Sequence, residues 1–217
     1  VTNNITIRME NNGTFSFFYI FYNYGRFHNN KVNQLIHLVC IPLILFTLFI
    51  LGAIHWHQYS FGFLEDIVPG GTVCIETSIL LIATLLMYLT SETTTGICAA
   101  LWMIPAFVVA QHMAAANGDA SAPEANSEIF RLSAIARTVH SIAWVAQFYG
   151  HGVHEGRAPA LATNLFFASF APFFVTFEFM NYVFGYKEST DEMKEVRSAI
   201  DRDIQEFRAT NAAKKTK

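Results

Sequence analysis

The stretch from Leu35 to Ile54, LIHLVCIPLILFTLFILGAI, decides the class of this chain. Its 20 residues carry no charge and a single histidine, His37. At about 1.5 Å of rise per residue such a run crosses a hydrocarbon layer roughly 30 Å thick. Outward from it the pattern continues. Between Lys31 and Arg131 there is no Lys or Arg, and only 14% of all residues are charged, against about a quarter in soluble domains. Four further apolar segments follow: Val73–Leu89, at the short limit; Gly96–Ala116; Ile129–Tyr149, interrupted by Arg131, Arg137, His140 and Gln147; and Leu161–Phe184, rich in Phe and carrying Pro172 and Glu178. The expected fold is all-α, a polytopic membrane bundle of four to five apolar helices. The interrupted fourth segment reads as a helix packed inside that bundle.

The connectors sharpen this division. His55–Thr72, with WHQY and PGG, is an aromatic interfacial loop, and Asn117–Glu128 is a polar loop with Pro and Gly. After Tyr186 the composition turns charged. Ser189 and Glu192 form an S-x-x-E capping box, and behind it Met193, Val196, Ile200, Ile204 and Phe207 recur at spacings of three and four. That is an amphipathic helix, lying on the membrane or docked against the bundle. The expected domains are a polar segment 1–20, a transmembrane catalytic domain 21–186, and a cytosolic helix with basic tail 187–217.

Lys214 and Lys215, in the final KKTK, have the spacing of a dilysine signal for retrieval to the endoplasmic reticulum. Arg26 and Lys31 place the N-terminal side in the cytosol as well, which requires an even number of crossings. The sequons at Asn4 and Asn12 argue for the opposite side. The first apolar run lies too far into the chain for a cleavable signal peptide. Cys40, Cys74 and Cys98 lie in or beside apolar runs without a CxxC pair and read as buried thiols. A net charge of −3 and the lack of a basic patch argue against nucleic acid as a partner.

Eight histidines in such a chain call for sorting, because an ionisable group within a membrane segment is a functional candidate by default. His140 and His151 are eleven residues apart, close to three helical turns, with Gln147 on the same face and His154 slightly off it. Gly150 and Gly152 can end the helix early. His28 and His37 are half a turn out of phase, so they meet only if the helix breaks between them, with Asn29 or Asn30 as N-cap. Asn33 is four residues before His37, where its amide can orient the imidazole. Several imidazoles converging in a low dielectric are better accounted for by iron, zinc or copper than by stacked neutral rings. His55, His57 and His112 read as interfacial or structural. Glu155 and Arg157 either pair with each other or serve a site, Arg157 by gripping an anionic head group and Glu155 as a metal ligand or as a support for a histidine. Glu178 needs a partner. No GxSxG, P-loop or Cys/His nucleophile is present.

Two long motifs, FYNYGRFHNNKVNQLIHLVCIPL (from Phe21) and WVAQFYGHGVHEGRAPAL (from Trp144), followed by APFFVTFEF, resemble those of one family. It comprises the membrane-embedded, iron(II)-dependent 2-hydroxy-fatty-acid dioxygenases of the endoplasmic reticulum, which shorten fatty acids by one carbon. The resemblance runs from about Phe21 to Phe184. It implies Fe(2+) ligands among His28, His37 and His151, to which helical phase adds His140. His154 departs from the family pattern. The implied substrates are a long-chain 2-hydroxy fatty acid, arising from phytosphingosine breakdown, and O2. Arg157 would anchor the carboxylate, and the Phe-rich last segment would line the acyl slot. Two other classes compete with this one. Di-iron hydroxylases and desaturases carry adjacent HH pairs, and this chain has none. A membrane scaffold or transporter would hold no metal and would tolerate loss of His151.

Overall fold

Asn30 sets where the first long helix begins. In the computed structural model, which describes residues 17–117, 126–157 and 168–215, α1 (Phe17–Gly25) gives way to a short turn and α2 (Lys31–His55) follows. The Asn30 side chain accepts from the backbone N–H of Val32 and Asn33, satisfying two of the amides that a helix start leaves unpaired. The break required between His28 and His37 therefore falls where the sequence places it.

Beyond α2 a small antiparallel ribbon pairs β1 (Gln58–Ser60) with β2 (Thr72–Cys74), Tyr59 opposite Val73. Helix α3 (Ile75–Ser91) runs straight from β2. It meets α4 (Thr93–Ala116) at Glu92, whose carboxylate accepts from the N–H groups of Thr94 and Thr95 and so caps α4. After α5 (Asn126–Tyr149) the backbone does not stop at Gly150. It widens into a π-helix, Gly150–Glu155, and ends at Gly156 in the left-handed conformation (φ 66°). Helices α6 (Ala171–Phe184) and α7 (Asp191–Lys215) complete the bundle. The all-α expectation holds, the six-residue ribbon aside.

Among the described residues, α2 and α4 are long and apolar enough to cross a membrane. The expected four to five spans are not all present by that measure. Helix α3 has 17 residues, and α6 has 14. The start of the last apolar segment, residues 161–167, lies outside the described residues, and α5 falls short because of its polar interruptions. The outward faces nevertheless stay apolar on four helices, with Leu35, Ile82, Leu101 and Val145 all exposed. A large apolar surface of this kind marks contact with lipid or protein.

The core is one cluster that draws on α1, α6 and α7 as well as the long helices. Phe170, Phe173, Phe174 and Phe177 are fully buried, and Phe177 packs against Phe17 and Phe21 at ring centroid distances of 5.0 and 5.1 Å. Met193, Val196, Ile200 and Ile204 bury the apolar face of α7. Of the two readings of that helix, docking against the bundle is what the structure shows. Its cap comes one residue later than the S-x-x-E pattern suggests, with Thr190 Oγ1 accepting from the Met193 N–H at 3.3 Å.

Candidate metal centre

Three elements bring His28, His37 and His151 together. His28 lies in the turn before α2, His37 on its second turn, and His151 at the start of the π-helix. All three are buried, and one ring nitrogen of each lies within 4.8 Å of the others. The rings stand nearly perpendicular to one another, at 77–87°, with centroids 4.6 to 4.9 Å apart. Such a group can hold a metal ion.

The hydrogen bonds decide which nitrogens are available. His28 Nδ1 lies 2.9 Å from the Tyr24 carbonyl, and His37 Nδ1 lies 2.9 Å from the Asn33 carbonyl. A carbonyl only accepts, so each Nδ1 carries the proton and each Nε2 keeps its lone pair. His151 Nδ1 is buried without a hydrogen-bond partner. Burial and the neighbouring imidazoles hold His28 well below the usual histidine range, so it stays neutral, the state a ligand needs. Neutral, convergent imidazoles with spare lone pairs and an orphaned buried nitrogen fit a divalent transition metal.

The supports differ in part from the sequence expectation. The Asn33 backbone carbonyl, not its side-chain amide, holds His37. The amide reaches instead toward the Phe27 carbonyl and Glu155 Oε2, at 3.4 and 3.5 Å. Glu155 accepts from the N–H groups of Asn29 and Asn30, both at 2.9 Å. A carboxylate at that helix start also meets the positive end of the α2 dipole. Glu155 thus ties the π-helix that bears His151 to the turn that bears His28.

His140 is not brought to the cluster. Helical phase does place it on one face with His151, but eleven residues of rise separate them by roughly 16 Å. Its nitrogens are also in use. Thr47 Oγ1, which donates to the Leu43 carbonyl, accepts from His140 Nδ1 at 2.9 Å, while Nε2 accepts from Trp144 Nε1–H at 3.0 Å. Arg157 is not in the cavity wall either. Its guanidinium donates to Asp203 Oδ1 and to the Arg26 carbonyl, both at 2.7 Å, and lies 3.8 Å from the Phe207 ring centroid. The Glu155–Arg157 pair is replaced by these separate partners. His154 packs edge-on to Tyr149, away from the cluster. His55 bonds Ser133, and His112 bonds the Ile67 carbonyl.

From the three histidines an apolar cavity of about 220 Å³ extends into the bundle. Along α2 it is lined by His37, Ile41, Ile44, Leu45, Leu48 and Phe49, a single helical face. Trp144, Gln147, Phe148 and His151 form the facing wall. The first and last of the α2 residues put its length at roughly 18 Å by helical rise. From the last apolar segment the lining residues are Ala168, Ser169, Ala171 and Pro172, small side chains. Among the described residues of that segment no Phe lines the cavity: Phe170, Phe173, Phe174 and Phe177 turn into the core.

Aromatic stacking also encloses His28. The Tyr24 ring stacks on His28 at 3.8 Å and 8°, and Phe174 stacks on the other face of Tyr24 at 3.9 Å and 13°. Tyr24 precedes His28 by four residues, a helical spacing that was legible. The Tyr24 hydroxyl meets Glu178 at 3.4 Å, which supplies the partner that this acid required.

A helical bundle holding three convergent imidazoles at the end of an apolar cavity defines a candidate metalloprotein with an apolar ligand. The particular family follows from comparison: residues 13–183 match the model described as 2-hydroxy-palmitic acid dioxygenase Mpo1-like, and the chain belongs to this Mpo1-like family. A 41-residue stretch is 51% identical to 2-hydroxy-palmitic acid dioxygenase MPO1 of Saccharomyces cerevisiae (strain ATCC 204508 / S288c), covering 18% of this chain and 24% of that protein. The aligned region thus spans about a quarter of the curated relative. No solved structure matches the chain.

Proposed function

We propose that the chain is an iron(II)-dependent dioxygenase that converts a long-chain 2-hydroxy fatty acid and O2 to the fatty acid one carbon shorter, CO2 and water. Atoms and electrons balance without another reductant. The observation that carries this reading is the meeting of three buried imidazoles, two with Nδ1 held by a backbone carbonyl, at the end of an apolar cavity. The family description and the name of the yeast relative support the reaction class.

His28, His37 and His151 would hold the iron. Three protein ligands leave positions open, so the bound metal would supply a place for O2 and for the oxygens of the substrate. The chain's own residues do the positioning. The Tyr24 and Asn33 carbonyls fix the tautomer of two ligands. Gln147, one turn before His151 on the cavity wall, replaces Arg157 as the polar side chain that meets the substrate's head group. The α2 face from Ile41 to Phe49 takes the acyl chain and excludes water. The apolar exterior and the family resemblance support a multi-pass place in the endoplasmic reticulum membrane. There the substrate would come from phytosphingosine, within sphingolipid breakdown.

The test uses full-length protein purified in detergent. Elemental analysis is expected to find about one iron per chain, and incubation with 2-hydroxypalmitic acid under O2 is expected to yield the 15-carbon acid and CO2. Protein that binds no metal sinks the site; metal-loaded protein that forms no shortened acid sinks the reaction.

A further inference from the structure

Two arginines flank the histidine site in sequence, and one carboxylate on the last helix joins them. Arg26 is two residues before His28, and Arg157 is six after His151. Asp203 Oδ1, on α7, lies 2.7 Å from Arg157 NH1 and 3.9 Å from Arg26 Nε. The Asp203 carbonyl accepts from Arg157 NH2 at 3.3 Å, and Arg157 also donates to the Arg26 carbonyl. Phe207, one turn further along α7, lies under the Arg157 guanidinium. The left-handed Gly156 turns the chain out of the π-helix toward this helix.

The burial is what makes the arrangement informative. The Arg157 side chain is only 7% exposed, and among the described residues Asp203 is the carboxylate paired with it. A buried guanidinium without its counter-charge is strongly unfavourable, so removing Asp203 forces the segment to move rather than merely losing one contact. The segment that would move carries His151 at one end. The Arg26 segment carries His28. The one ligand on a long, well-anchored helix, His37, lies outside the clamp.

We propose that Asp203 is a positioning residue that clamps the His28 and His151 segments together, making the C-terminal helix part of the metal site. The inference rests on the reading of the three histidines as metal ligands. It predicts that metal affinity depends on a carboxylate that touches none of the ligands.

Full-length protein in detergent is titrated with Co(II), whose visible absorption reports ligand number and geometry. Asp203→Asn is expected to weaken Co(II) binding about tenfold, the lower end for partners beyond the ligands themselves, and to alter the spectrum. Asp203→Glu restores most of the affinity, and Asp191→Asn, on an exposed part of the same helix, leaves it unchanged. Wild-type affinity and spectrum in Asp203→Asn overturn the clamp, as does equal weakening in Asp191→Asn. If Asp203→Asn does not fold, Arg26→Gln carries the test: an effect of at least about twofold is expected, and none overturns the proposal. Wild-type protein that binds no Co(II) overturns the histidine site itself and the clamp with it, an outcome distinct from the others.

Discussion

Two histidine arrangements sit between the same pair of antiparallel helices, and they end in opposite states. At one end His37 on α2 meets His151 at the close of α5, with His28 beside them. Ten residues further along α2, Thr47 meets His140. In the first arrangement the Nδ1 of two rings is spent on a backbone carbonyl, and one nitrogen of each of the three rings lies within 4.8 Å of the others. In the second, one ring donates to a hydroxyl and accepts from an indole, so nothing is left over. Helical phase does not separate these cases, although His140 is only half-buried where the other three rings are buried. The count of spare lone pairs does.

Substitution can break that comparison at its strongest point. His37→Ala removes one of three convergent imidazoles and is expected to abolish stoichiometric iron and reduce turnover at least about a hundredfold, on the scale of losing an essential catalytic group. His140→Ala is expected to keep its iron. Elemental analysis beside a turnover assay reads both. Equal iron loss in the two variants would mean that the hydrogen-bond count does not identify ligands here.

A smaller effect is expected where the two helices touch. A Cβ on Gly150 would lie 2.4 Å from Asn33 Oδ1, and Asn33 is fully buried with its carbonyl on His37. Gly150→Ala must push the π-helix off α2 or turn Asn33. It is expected to lower stability by about 1–3 kcal/mol and turnover by at least about tenfold, because small misplacements near reacting groups are amplified. Gly152 in the same π-helix has open space around it, so Gly152→Ala should stay near wild type in both assays. If both glycines tolerate alanine, close approach is not what sets the register of His151.

The same contrast shows what the sequence could reveal. The His28–His37 pair was legible because half a turn of phase error demands a break, and Asn30 is a residue that can make one. Tyr24 under His28 was within reach by the same spacing argument. His140 misled because phase is a statement about angle, and a metal site also needs the same height along the helix. The π-helix was not legible: Gly150 and Gly152 suggest a stop, and the packing of Gly150 against Asn33 and the bonds of Glu155 to Asn29 and Asn30 are long-range contacts with no local sign. Arg157 was the hardest case. Its partner, Asp203, lies 46 residues on, in a helix whose polar face gives no local sign of which acid turns inward. Likewise Phe-rich composition could not distinguish rings that line a cavity from rings that fill a core.

The smallest expected effect tests the satisfied arrangement from within. Thr47→Val keeps the shape of the side chain and removes the acceptor for His140 Nδ1. His140 is half-buried, so leaving its donor unpaired is expected to cost about 1 kcal/mol, the low end for buried groups. Replacing His140 by Phe in the same background removes that donor, so the penalty of the first change should largely vanish, although Trp144 then loses its own acceptor. A double-mutant cycle on Thr47→Val and His140→Phe, read by detergent unfolding, should therefore give a coupling of about 1 kcal/mol while turnover in Thr47→Val stays within about twofold. Zero coupling would mean that the hydroxyl and the imidazole do not satisfy each other. His140 would then have a free nitrogen, and its height along the helix alone would separate it from the other three histidines.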